Sequence, residues 1–229
     1  MEYIRKNLEE IRRNIAEAAL KSGRAPEDIT LVGVTKTVEP EKIAALLDLG
    51  VKDLGENRVQ ELNEKMPLLT ARAPRWHLIG NLQKNKIKYV IGRVAMIQSL
   101  ESSALAEAVS AAAEKAGTRV DALIEINIAG EISKHGAAPS EALSIARGIE
   151  ELPGLRLRGL MCVAPFVDNS EKNRFHFREM FQLYIDIRDK MRHNNIDTLS
   201  MGMSGDYAVA IEEGATMARV GTSLFGGRN

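Results

Sequence analysis

The chain has 229 residues, 45% of them hydrophobic and 27% charged, a globular composition long enough to bury a sizeable core. Lys plus Arg equals Asp plus Glu at 31 each, so no global field favours nucleic acid or an anionic membrane. One cysteine, Cys162, excludes an internal disulfide, and no segment approaches the roughly 18 apolar residues of a membrane span.

Residues 2 to 22 carry Ile4, Leu8, Ile11 and Ile15 at helical spacing, with Gly23 as the stop. This N-terminus is charged and amphipathic, without the apolar run of a signal peptide, so a soluble cytoplasmic protein is expected. The first strand pattern is ITLVGVTK, 29 to 36. It is followed by the helical EKIAALLDLG with Ile43, Leu46 and Leu47. Further strand patterns are VKDLGEN, RWHLIGN, VAMIQSL, VDALIEINI, LRLRGLMCV, DTLSMGM and MARVGTSLFG. Helical patterns lie between most of them. ESSALAEAVSAAAEKAG has serines for an N-cap and Gly117 for a stop. APSEALSIARGIEELPG begins near Pro139 and ends at Pro153-Gly154. NRFHFREMFQLYIDIRDKMRH carries a broad Phe/Met stripe of ordinary helix core.

Eight strands alternating with helices point to a parallel sheet, and eight is the number that closes a barrel. A doubly wound open sheet usually carries a glycine fingerprint after its first strand, and TKTVEP has no glycine there. The expectation is one domain over 1–229, an α/β (β/α)8 TIM barrel with an extra N-terminal helix. Closure would make Lys36 and the ARVGTS stretch neighbours at the carboxyl-end mouth, where barrel enzymes place their chemistry.

The candidate site follows from that closure. Gly202, Ser204 and Gly205 form a small-residue loop ahead of a helical pattern, and Gly221-Thr222 ends the last strand. Loops after strands seven and eight commonly hold a phosphate in barrels; taken singly, these glycines read equally as turns. Period-two alternation puts Arg219 on the inward face with Gly221. A buried guanidinium needs a partner, either an ion pair with a barrel carboxylate such as Glu125 or a ligand ring atom. The same alternation puts Val32, Val34 and Lys36 on one face. Lys36 is either solvated or placed to condense with an aldehyde as a neutral amine. A lysine aldimine, a phosphate cradle and an arginine for a pyridine nitrogen are together the fittings of pyridoxal phosphate.

The segments LVGVTKT, DLGENRVQE, WHLIGNLQKNKIK, GLMCVAP and SMGMSGDYAVAIEEGATMARVGTSLFG make the chain resemble the pyridoxal phosphate homeostasis protein family. That family shares the alanine-racemase N-terminal barrel fold, and the match spans about residues 8 to 226. The resemblance implies that Lys36 holds the cofactor as an internal aldimine. It implies that Ser204, Gly221 and Thr222 bind the phosphate, that Arg219 faces the pyridine nitrogen, and that Asn57, Met161 and Ser200 line the pocket. It implies a carrier that buffers the cofactor or delivers it to apo-enzymes, without amino-acid turnover and without nucleic-acid or membrane partners.

Two enzymatic readings stand beside it, an amino-acid racemase and a Schiff-base sugar-phosphate aldolase. Racemases of this fold add a C-terminal β-domain that builds a dimer and supplies a tyrosine. The chain ends at Asn229, so a monomer without that second acid/base is expected. Lys84, Lys86 and Lys88 read as a solvated helix start. His77, His135, His176 and His193 show no metal-ligand spacing, and no metal is expected. His77 reads as a core histidine within reach of the pocket. Glu125 and Asn127 share a parity on the fifth strand, consistent with an inward polar network. AGEISKHG matches the family only loosely, so Lys134 is given no role.

Overall fold

A computed structural model describes residues 1–131, 133–192 and 195–226; His193 lies outside them. The chain begins with α1 (Glu2–Lys21) and then alternates strand and helix: β1 (Thr30–Val34), α2 (Pro40–Asp48), β2 (Asp53–Glu56), α3 (Val59–Leu69), β3 (Arg75–Leu78) and β4 (Met96–Leu100). It continues with α4 (Ser103–Lys115), β5 (Val120–Ile126), α5 (Ala142–Glu150), β6 (Leu155–Cys162), α6 (Arg174–Lys190), β7 (Thr198–Ser200), α7 (Tyr207–Glu212), β8 (Met217–Val220) and α8 (Thr222–Phe225). The strands form a closed parallel barrel in sequence order. β1 pairs with β8 and opposes Val32 to Arg219. This is the expected TIM barrel with its additional N-terminal helix.

Local chemistry accounts for the elements. Ile4, Leu8, Ile11 and Ile15 are all buried on one face of α1. That helix packs on α7 and on α8, which is only one turn long. Asn7 donates to Leu224 O at 3.1 Å and Asn14 to the Tyr207 hydroxyl at 3.0 Å. The extra helix thus covers the sector that the short α8 leaves thin. Ser102 caps α4 by accepting from Leu105 N at 3.3 Å. Two differences from the periodicity stand out. α3 forms over a stretch whose pattern is weak, and β3 reaches β4 through a 3-10 segment, Lys84–Tyr89, instead of an α-helix.

Apolar side chains form two cores. The large one fills the shell between strands and helices. The small one, Met96, Leu123 and Met161, lies apart from it among inward-facing positions. Met161 reaches the interior through a bulge: Ala122 pairs with Leu157 but Leu123 pairs with Gly159, so Arg158 is the extra residue. Gly159 has φ +148, and a β-carbon there would stand 1.8 Å from Thr198 O. Only glycine fits between β6 and β7 at that point.

Gly159→Ala is therefore expected to cost about 3 kcal/mol or more, from strain and overpacking together. Urea unfolding checks it; a loss under about 1 kcal/mol would contradict this account of the bulge.

Candidate functional site

Lys36 does not extend β1. The strand ends at Val34, Thr35 is buried, and Lys36 and Thr37 form an exposed turn. The expected alternation Val32, Val34, Lys36 therefore breaks before the lysine. Thr37 has φ +61, a left-handed conformation that a β-branched residue adopts only when its surroundings impose it.

Those surroundings are an ionic clamp. Lys65, buried on α3, donates to Thr35 O at 2.8 Å, Glu56 Oε2 at 2.8 Å and Glu61 Oε2 at 2.9 Å. Glu56 accepts from the Thr35 hydroxyl at 2.8 Å and, through its other oxygen, from Asn57 N at 3.0 Å. Glu61 accepts from Thr37 N at 2.9 Å. One ammonium and two carboxylates thus fix both neighbours of Lys36 and leave Lys36 itself in water. Burial alone would raise Glu61, but the Thr37 N–H and the Lys65 ammonium hold its carboxyl below the ordinary value of 4.5.

Across the mouth, the loops after β7 and β8 are tied together at Ser204. Its hydroxyl oxygen accepts from Gly221 N and Ser223 N, each at 3.2 Å. The Ser223 hydroxyl returns a bond to Ser204 O at 3.3 Å. Asp206 holds the loop from behind, accepting from Met203 N at 2.7 Å and Asn173 Nδ2 at 2.8 Å. Two backbone N–H groups thus converge in a cradle whose occupant is the Ser204 hydroxyl; an anionic oxygen binding there would displace it. A β-carbon on Gly221 would lie 3.2 Å from Val34 Cβ, so glycine lets the cradle close against the tip of β1. Thr222 is exposed beside it.

Between these rims lies Arg219, only 3% exposed. It donates to Ser200 Oγ at 2.7 Å and to Cys162 O at 2.8 Å. The ion pair with Glu125 considered from the sequence does not form, and no described carboxylate lies within ion-pair distance of Arg219. Of the five guanidinium N–H groups, two are spent and three have no partner among the described residues. Burial draws the guanidinium below its ordinary value, opposed by Cys162 and Glu125. Burial also pushes the Glu125 carboxyl up to about 7, against the pull of Arg219. The Cys162 thiol is pushed up to about 12 and is inert at neutral pH.

Asn57 follows β2, and its Oδ1 is buried with no partner among the described residues. A β-carbon on Gly80 would meet Asn57 O at 2.3 Å, so the Gly80 backbone presses Asn57 into place. Lys36, Asn57, Met161, Ser200, Ser204, Arg219, Gly221 and Thr222 all lie at or just beyond carboxyl ends of strands. Asn127 is not in the barrel interior: it lies past β5, and its side-chain amide donates to Glu131 O at 2.8 Å. Lys134 pairs with Glu131 and donates to Ala164 O at 3.2 Å, tying the β5 loop to the segment after β6. His77 is a core histidine with both ring nitrogens engaged.

Lys65, Glu61 and Gly80 were not singled out from the sequence. The Glu61–Lys65 pair has i,i+4 spacing and was readable in principle. Its partner Glu56, on another element, was not.

The alanine racemase N-terminal domain family model matches residues 6–229. The chain is 41% identical over 224 residues to a pyridoxal phosphate homeostasis protein of Aquifex aeolicus, covering 96% of each chain. A solved structure of an unknown protein from Bifidobacterium adolescentis superposes with TM-score 0.93 at 36% identity, over 98% of this chain and 95% of that one. PipY of Synechococcus elongatus PCC7942, solved with PLP bound, gives TM-score 0.81 at 31% identity, over 93% of this chain and all of that one.

The clamp makes two measurable demands. Lys65→Met strands two carboxylates, one fully buried, and should cost about 3 kcal/mol with faster amide exchange at Thr37. Unchanged exchange would separate the clamp from the Lys36 turn. The Glu61 carboxyl is depressed on folding, so its contribution is full above 4.5 and is lost as pH falls through the lower folded value. Thr37 amide protection should fall over that acid window and not above it.

Proposed function

Since the chain belongs to the pyridoxal phosphate homeostasis proteins, within the alanine racemase N-terminal domain family, we propose that it binds pyridoxal phosphate at the barrel mouth and keeps it available for other proteins. The observation that carries the proposal is Arg219. A guanidinium sealed in the barrel, without a carboxylate and with three N–H groups unspent, is built for an uncharged acceptor. The pyridine nitrogen is such an acceptor. The orphaned Asn57 Oδ1 meets the same fit, as a buried polar atom left for a ligand.

When bound, the cofactor supplies an aldehyde that a primary amine captures with loss of water. Lys36 is the amine at the mouth. Its clamped turn presents it without burying it, which allows exchange with water and with other amines. Ser204, Gly221 and Thr222 hold the phosphate; Met161, Ser200 and Asn57 line the ring site. Arg219 cannot give up a proton, so it holds the ring nitrogen unprotonated and limits the electron withdrawal that carbanion chemistry needs. Storage and hand-over to apo-enzymes follow more naturally from this arrangement than amino-acid turnover.

Borohydride treatment of the loaded protein should fix the cofactor to Lys36, and Lys36→Ala should abolish the visible band. Peptide mass spectrometry that places the label elsewhere, or nowhere, would overturn the linkage. Steady, saturable turnover of L- or D-amino acids would overturn the storage role.

A further inference from the structure

The same guanidinium begins a hydrogen-bonded chain that crosses the barrel. Arg219 on β8 donates to Ser200 Oγ on β7 at 2.7 Å. Ser200 meets Gln98 Oε1 on β4 at 2.7 Å, 102 positions away in sequence. Gln98 Nε2 meets His77 Nδ1 on β3 at 3.1 Å, and His77 Nε2 meets Asp53 Oδ1 on β2 at 2.9 Å. Arg75 closes the far end with two bonds to the Asp53 carboxylate, one of them at 2.8 Å. Every inner member is buried: Ser200 and Gln98 are fully enclosed, and His77 nearly so.

The direction of the chain follows from Arg219 and from the Gln98 amide, whose oxygen faces Ser200. A guanidinium only donates, so the Ser200 oxygen accepts and its proton points to Gln98 Oε1. The Gln98 amide nitrogen then faces His77 Nδ1, which accepts. The His77 proton is left on Nε2, aimed at Asp53. Five groups are thus polarised one way, from a cation on β8 across to β4 and back to an anion on β2, which only β1 separates from β8. Such chains strengthen each link and penalise a break at any one.

We propose that Gln98 and His77 are positioning residues for the cofactor: through Ser200 they fix the Arg219 guanidinium and so determine which of its N–H groups remain for the ring nitrogen. Neither residue needs to touch the ligand. The inference rests on Arg219 meeting that nitrogen, as proposed above.

Two variants of one residue test it. Gln98→Leu cuts the chain between Ser200 and His77. Gln98→Glu keeps an acceptor for Ser200 and an oxygen in place of the amide nitrogen facing His77 Nδ1. On the loaded protein, Gln98→Leu should weaken pyridoxal phosphate affinity roughly tenfold and shift the absorption of the bound cofactor. Gln98→Glu should stay within about threefold of wild type. On the unloaded protein, nitrogen-15 NMR should show the neutral His77 ring carrying its proton on Nε2. A wild-type His77 protonated on Nδ1 would overturn the relay, as would a Gln98→Leu protein with unchanged affinity and spectrum. Arg219→Ala distinguishes the two failures. If it changes affinity and spectrum while Gln98→Leu does not, only the relay is wrong. If it changes neither, the ring-nitrogen reading fails as well.

Discussion

A guanidinium sealed inside a barrel, with no carboxylate of the described residues within ion-pair distance, is the constraint on which this site depends. An unpaired buried charge costs several kcal/mol, and here neutral acceptors carry it: the Ser200 hydroxyl and the Cys162 carbonyl. Both must be held in place. Ser200 is held by Gln98, and Cys162 O by the register of β6, which the bulge at Gly159 sets. The apolar part of the interior is correspondingly small, with Met96, Leu123 and Met161 filling only part of it. The barrel folds around a polar network and leaves its conventional core to the outer shell of helices.

Two cations are buried here by opposite means. Lys65 is neutralised directly by Glu56 and Glu61, and it serves to hold a turn. Arg219 is spread over neutral partners, so its field is not cancelled at the mouth. Lys36 sits between these solutions, exposed and without a partner among the described residues but displayed on a fixed backbone. Rigidity under the lysine and access above it are compatible because the clamp grips Thr35 and Thr37 and bypasses the residue it presents.

The closed barrel was legible because the strand patterns number eight and alternate with helices. α1 and α4 were legible because Ile4, Leu8, Ile11 and Ile15 keep a helical period and Ser102 starts a good helix former. α3 was not: Pro67 lies inside it and a lysine occupies one of its buried positions, so hydrophobic spacing under-reports it. Lys36 misled alternation because β1 stops two residues early and Thr37 turns left-handed, a conformation nothing in the residue's own chemistry requests. Met161 defied alternation through a one-residue bulge. The relay was out of reach altogether. Gln98 and Ser200 meet across the barrel axis, and no local pattern encodes which inward residues touch after closure.

Glu125 shows why Arg219 is better served by neutral partners. It is buried on β5, opposite Met161, and its carboxyl, which has no hydrogen-bond partner among the described residues, is pushed up to about 7. Had Arg219 paired with it, the carboxylate would have taken one or two of the unspent N–H groups and left fewer for an uncharged acceptor. Kept apart, the carboxyl resists ionisation near neutrality and the guanidinium keeps its unspent donors. The sign is definite: a carboxyl raised on folding favours the folded state below the ordinary glutamate value and loses that advantage as pH rises through about 7.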